Sequence, residues 1–270
     1  MTRPAAIRSL GAAHLPTLVL LHGFMGSGDD WLRTARLLSD RYRCLLPDLP
    51  GHGGQPLPAD LDFEGYCEHV WKQLAPVLPV RVALAGYSMG GRIAAWLATR
   101  HPESIAALVL EGAHPGLETE AERLARRRHD GTWARRLEQE AWPWILEDWY
   151  RQPVFADLTP ARRKAFIQER SAQDPATLAR VLRATGLGGQ PDLRPGLAGL
   201  TCPRAFIAGA RDTKFSALGQ ALADTCAGLE LVKLDGLGHN CHAQDPGQVA
   251  AVIEQVCHPM HFTQTSTASS

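Results

Sequence analysis

Short apolar runs recur along the chain, with stretches of helical pattern between them. Those at 17–21, 42–46, 81–85, 106–111, 203–208 and 229–234 are each bounded by Gly, Pro or Asp and are read as strands. Strands alternating with helices predict an α/β chain on a mostly parallel sheet with helices on both faces. The alternation breaks between Pro115 and Pro195, a region of helical pattern, rich in Arg and Trp, without a convincing strand. It is read as a helical cap inserted between two core strands. The expected organisation is therefore a core in two parts, 1–114 and 196–257, a cap over 115–195, and a tail over 258–270. Residues 263–270 are polar, and the tail is expected to be disordered. There are no internal repeats.

Composition narrows the picture only a little. A chain of 270 residues suits one α/β domain carrying an insertion, with a sizeable core. The formal net charge of zero gives no reason to expect nucleic acid or an anionic membrane as partner. Arg3 and Arg8 precede the apolar run 17–21, but that run leads into a loop motif rather than a cleavage site, so it is read as a strand and not a signal peptide. No run approaches the length of a membrane span. The six cysteines contain no C-x-x-C pair, and Cys44, Cys67 and Cys202 lie in apolar contexts. Buried, reduced thiols in a cytoplasmic, monomeric protein are expected. There is neither a zinc-like Cys/His cluster nor a phosphate-cradling G-x-x-x-x-G-K stretch, so no metal and no organic cofactor is expected.

The strongest chemical signal is Gly86-Tyr87-Ser88-Met89-Gly90, preceded by a short strand and followed by a helix. A serine on so sharp a strand-to-helix turn stands over the sheet edge, and the glycines two residues away relieve the crowding. This is the pattern of a nucleophile elbow. A serine hydroxyl needs a neighbouring histidine to take its proton, and that histidine needs an orienting acid. After an elbow the order is serine, acid, histidine. Asp212 follows the strand 203–208, and His239 follows the strand 229–234 within Gly236-Leu237-Gly238-His239-Asn240. Asp212 is the best acid, although Asp235 and Asp192 compete; Asp235 is too close in sequence to reach His239 easily from behind. His242 lacks the glycines that bring a loop to the nucleophile, and His114 is a candidate polar contact of the pocket.

An oxyanion would take one N–H from Met89, the residue after the serine, and one from Phe24 in the loop Leu21-His22-Gly23-Phe24-Met25-Gly26. Arg92, one helical turn beyond Ser88, either aims its guanidinium at the site or forms a structural ion pair; position alone decides neither. Arg126-Arg127-Arg128 and Arg170 have the right chemistry for binding carboxylates. Acids nearly as numerous in the same region make a solvated helix face the default for most of them.

Beyond the motifs shared by α/β hydrolases in general stand more specific stretches. They include the elbow extended to Gly91-Arg92, Glu111-Gly112-Ala113-His114-Pro115-Gly116-Leu117 and Trp149-Tyr150-Arg151-Gln152-Pro153-Val154-Phe155. Gln190-Pro191-Asp192-Leu193-Arg194, Gly209-Ala210-Arg211-Asp212-Thr213-Lys214-Phe215 and Gly238-His239-Asn240 complete the set. On these the chain, from Leu20 to about Val256, resembles the 2-succinyl-6-hydroxy-2,4-cyclohexadiene-1-carboxylate synthases, lyases of the α/β-hydrolase fold in menaquinone biosynthesis. The resemblance implies removal of pyruvate from 2-succinyl-5-enolpyruvyl-6-hydroxy-3-cyclohexene-1-carboxylate, a small molecule with three carboxylates. It also implies a Ser88–Asp212–His239 triad in which serine acts as base, and an enolate held by the amides of Phe24 and Met89. Arg92, Arg126 and Arg170 become the substrate-binding arginines, with Tyr87 and Trp149 lining the pocket. The competing expectation is a serine hydrolase of a small carboxylated ester or thioester, served by the same triad.

Overall fold

A computed structural model describes residues 7–258; apart from His258 the expected tail lies outside the described residues. Among the described residues seven strands form one sheet: β1 (Ile7–Leu10), β2 (Thr17–Leu21), β3 (Arg43–Pro47), β4 (Val82–Tyr87), β5 (Ile105–Glu111), β6 (Arg204–Gly209) and β7 (Leu229–Leu234). Their order is β1-β3-β2-β4-β5-β6-β7, and every pairing is parallel except β1 on β3. Six strands lie where the apolar runs predicted them, and the bounds of β2 and β7 coincide with those runs. The antiparallel edge strand β1 is an addition. Its four residues bury little on either face, so it carries almost no periodic signal.

Side chains of successive strand residues point to opposite faces, and the core divides accordingly. Val19, Leu21, Val82, Leu84, Leu108, Leu110, Phe206 and Ala208 face one apolar cluster with α2 (Phe63–Leu74), α3 (Met89–Arg100) and α9 (Thr213–Thr225). Leu18, Leu20, Ala83, Ala85, Ala107, Val109, Ala205 and Ile207 face the other, with α1 (Leu32–Leu38), the short α10 (Cys241–Gln244) and α11 (Pro246–Cys257). Strands buried on both faces are why the runs read as continuous rather than alternating. All six cysteines are free and buried.

Between β5 and β6 the described residues form no strand. They form α4 (Glu120–Gln139), α5 (Trp142–Trp149), α6 (Pro160–Arg170), α7 (Pro175–Thr185) and the short α8 (Arg194–Ala198). Helix α4 opens with a capping box, in which the Thr119 hydroxyl accepts from the Glu122 amide and the Glu122 carboxylate accepts from the Thr119 amide. Ala134 and Leu137 of α4, Ile145 and Leu146 of α5 and Leu178, Ala179 and Leu182 of α7 form a third apolar cluster, which reaches the sheet side through Met25. No helix among the described residues is long and apolar enough to cross a membrane.

Candidate active site

Ser88 stands between β4 and α3, as the N-cap of α3, at φ 50°, ψ −111°, a left-handed conformation that a side chain adopts at a cost of about 1–3 kcal/mol. The turn is possible only because the flanking glycines let backbone meet backbone. A Cβ on Gly86 would lie 2.4 Å from the Gly90 carbonyl oxygen, and one on Gly90 would lie 2.3 Å from that of Leu21. The Ser88 amide donates to the Glu111 carbonyl, so the elbow is anchored to the end of β5.

Asp212 follows β6 and caps α9. Its Oδ1 accepts from the Phe215 amide at 3.1 Å, which turns Oδ2 towards His239 Nδ1, 2.7 Å away. Asp212 thus serves as N-cap and imidazole acceptor together, and the imidazole carries its proton on Nδ1. His239 is buried, beside the Phe215 and Tyr87 rings. It sits so close to Gly112 that a Cβ there would meet its Cε1 at 2.8 Å. Gly112 in turn lines a cavity of about 110 Å³ together with Ser88.

Phe24, Met89, Arg92, His114, Arg126, Trp149, Lys214 and Phe215 also line this cavity, which lies between the sheet and the inserted helices. The backbone amides of Phe24 and Met89 have no hydrogen-bond acceptor among the described residues. Arg92 donates to Gln190 Oε1 at 3.0 Å, and Gln190 donates onward to the His114 carbonyl. Burial, followed by the nearby Arg126, lowers the Arg92 pKa to about 10, and no carboxylate pairs with it among the described residues. Arg126 is tied to Asp130 at 2.7 Å; Arg127 turns away to Glu120 and the Gly188 carbonyl, and Arg128 is exposed. The helix therefore selects Arg126 from the arginine triplet. His114 is pushed down to about 4, by burial first and then by Lys214, Arg92 and Arg126.

Two of the expected pocket residues are not brought to this cavity. Arg170 is almost wholly buried in an ion pair with Asp30 at 2.7 Å and lines a separate cavity of about 430 Å³ with Asp30 and His242. Burial is the largest influence and disfavours its charge, but Asp30, Tyr150 and Glu169 together outweigh it, so the guanidinium stays firmly protonated. It ties α6 to the segment after β2, and its carboxylate partner is already in place. Tyr87 is buried between the His239 and His242 rings, 5.4 and 5.0 Å between centroids, and burial raises its hydroxyl pKa well above the ordinary value. Among the rival candidates, Asp192 pairs with Arg194, Asp235 is exposed, and His242 is engaged by Glu111 at 2.9 Å. Lys214 was missed as a pocket residue. Its motif drew attention to Asp212, yet two positions further on the first turn of α9 returns to the same site.

Two more histidines hold the loop that carries the Phe24 amide. His22 Nδ1 donates to the Gly23 carbonyl while Nε2 accepts from the Leu49 amide; His52 Nε2 accepts from the Met25 amide while Nδ1 donates to the Pro50 carbonyl. Each ring nitrogen that accepts must stay unprotonated. Burial is the chief reason the His22 pKa falls to about 3 and that of His52 falls well below 6.5. The folded-state values are depressed, so their contribution to stability is whole above pH 6.5 and is lost as pH falls from there towards 3. Two such groups cost about 3 kcal/mol between pH 8 and 5.5. Urea midpoints at the two pH values measure this, and equal midpoints contradict it.

Among the described residues, no group of three or more His, Cys, Asp or Glu side chains is arranged to hold a metal ion. The site offers a serine on a strained turn, an oriented imidazole, two free amides and a cationic wall.

Residues 16–245 match the alpha/beta hydrolase fold family. The 2-succinyl-6-hydroxy-2,4-cyclohexadiene-1-carboxylate synthase of Citrobacter koseri is 40% identical over 244 residues, covering 89% of this chain and 93% of that one. The enzyme of the same name from Escherichia coli O1:K1 is 38% identical over 246 residues, with 91% and 95% coverage. Among solved structures, MenH from S. aureus superposes with a TM-score of 0.87 at 28% identity, covering 94% of this chain and 98% of that one. The chain belongs to the alpha/beta hydrolase fold family and, within it, to the family of the 2-succinyl-6-hydroxy-2,4-cyclohexadiene-1-carboxylate synthases.

Proposed function

We propose that this chain is a carbon–oxygen lyase of menaquinone biosynthesis. It eliminates pyruvate from 2-succinyl-5-enolpyruvyl-6-hydroxy-3-cyclohexene-1-carboxylate to give 2-succinyl-6-hydroxy-2,4-cyclohexadiene-1-carboxylate. The observation that carries this reading is the wall of the Ser88 cavity, where Arg92 and Arg126 stand and no acidic side chain does. A neutral ester gives such a wall nothing to neutralise, whereas a substrate with three carboxylates does.

Ser88 Oγ, relieved of its proton by His239, removes the ring proton next to the succinyl ketone. Asp212 keeps the imidazole oriented and stabilises its charged form. The enolate oxygen that forms is taken by the amides of Phe24 and Met89, donors of the kind whose individual loss costs roughly 10²–10³ in turnover. The electron pair returns through the ring double bond and breaks the bond from ring carbon to enolpyruvyl oxygen. The departing enol takes up a proton as it becomes pyruvate. No water is added, and no bond to Ser88 forms. Arg92, Arg126 and Trp149 orient the substrate, and the helices of 115–195 act as a cap over it. Tyr87 and Arg170 take positioning roles, the first behind His239 and the second through Asp30. The cavity of about 110 Å³ is smaller than the ~300–1,000 Å³ usual for ligand pockets, so binding displaces part of the cap. The reading includes a monomer acting in the cytoplasm.

Intact-protein mass spectrometry during turnover separates this from ester hydrolysis. The expected result is unmodified protein throughout, with simple esters turned over far more slowly than the enolpyruvyl substrate. An acyl adduct on Ser88, with esters consumed at enzyme-like rates, overturns it in favour of a hydrolase.

A further inference from the structure

The Ser88 cavity holds a third cation that neither the sequence nor the family resemblance assigned. We propose that Lys214 is the third carboxylate-binding group of the cavity, taking the substrate carboxylate that Arg92 and Arg126 leave free; this rests on the lyase reading above. Lys214 lines the same cavity as Ser88, Arg92 and Arg126. Among the described residues it has no ion-pair partner, and its ammonium lies 5.5 Å from the Phe215 ring centroid on the cavity wall.

Charge bookkeeping around the cavity points the same way. Its lining contains three basic side chains and no Asp or Glu. Among the described residues Arg126 alone of the three has a carboxylate partner, Asp130, since the partner of Arg92 is the uncharged Gln190 and Lys214 is in no ion pair. Asp212, two residues before Lys214, already accepts from His239 and from the Phe215 amide. Like charges gathered without counter-charges repel, and both Lys214 and Arg92 are shifted towards their neutral forms, by burial first and by Arg126 second. A polyanionic ligand removes that repulsion and replaces the lost hydration with charge-assisted hydrogen bonds. Arg170, the third cation implied by resemblance, is occupied by Asp30 and lines the other cavity. Arg126 meets Asp130 through Nε alone, which leaves its terminal nitrogens to a carboxylate, so Arg92, Arg126 and Lys214 at the Ser88 cavity offer one group to each of three carboxylates.

Lys214 is partly open to solvent, sits in the first turn of α9 and is in no ion pair among the described residues, so Lys214→Gln leaves the fold intact, which an unchanged thermal midpoint checks. In pyruvate release, Lys214→Gln should raise KM about 10- to 100-fold with kcat within about threefold, and Lys214→Arg should recover most of the loss. A KM within twofold of wild type overturns the proposal. A fall in kcat at constant KM also overturns it, because the lysine then acts on the chemistry and not on a carboxylate.

Calorimetric titration with tricarballylate and with succinate gives a readout independent of turnover. The expectation is about tenfold weaker tricarballylate binding in Lys214→Gln, with succinate affinity within about threefold of wild type. If the wild-type chain releases no pyruvate, the lyase reading fails, and the titration still decides for the subsite. Weaker tricarballylate binding by Lys214→Gln upholds it, and equal binding by both proteins overturns it.

Discussion

Ser88→Ala is expected to lower pyruvate release by roughly 10³–10⁴-fold while leaving the thermal midpoint within a few degrees of wild type. The backbone of the elbow is held by contacts that do not involve the hydroxyl. The Ser88 amide bonds to Glu111, and Gly86 and Gly90 provide the close approach of β4, α3 and β2. Alanine meets the same φ of 50° as serine, so the strain stays in both proteins. What is removed is the one oxygen that can pass a proton from substrate to His239. Retention of more than a tenth of the activity in a folded Ser88→Ala protein would refute serine as the base.

Glu111→Ala is expected to destabilise the fold by about 2–4 kcal/mol, because it strips a buried imidazole N–H and a buried backbone amide of their acceptor. In a domain of this size that lowers the thermal midpoint by about 10 °C. Glu111 is 1% exposed, and its carboxylate oxygens lie 3.0 and 2.9 Å from His242 Nδ1; one of them also accepts from the His242 amide at 3.2 Å. The imidazole stacks on Trp31 with 3.9 Å between centroids, and its Nε2 has no hydrogen-bond partner among the described residues. The same glutamate joins the segment after His239 to the end of β5, where its carbonyl receives the Ser88 amide. Glu111→Gln keeps the shape and one acceptor, and should lose less than half as much. A shift under 2 °C in Glu111→Ala would contradict the structural role.

The sheet was legible because strands buried on both faces leave continuous apolar runs between Gly, Pro and Asp; β2 and β7 match their runs end for end. β1 was not, because a four-residue edge strand with two exposed side chains has no pattern to read. The contact between Asp212 and His239 could be anticipated, since each follows a neighbouring parallel strand and the register of β6 on β7 sets the two loops side by side. The cationic residues were harder. Carboxylate-binding chemistry is common to every arginine, and which one reaches the cavity depends on helix rotation and on competing acids. Helix α4 turns Arg126 inwards and its neighbours out, whereas Asp30, 140 residues away in sequence, claims Arg170. Tyr87 stands beside Ser88 in the chain, but successive residues of a strand end face opposite ways, and its ring packs against His239 and His242 instead of lining the cavity.

Pyruvate release by the purified chain on freshly made 2-succinyl-5-enolpyruvyl-6-hydroxy-3-cyclohexene-1-carboxylate tests the central claim most directly. The substrate also decays unaided, so the rate is read against a blank without enzyme. The expected result is release far above the blank, with one conjugated diene appearing for each pyruvate. Release no faster than the blank from folded, pure protein would contradict the lyase reading and leave the hydrolysis of another acidic ester as the activity to seek.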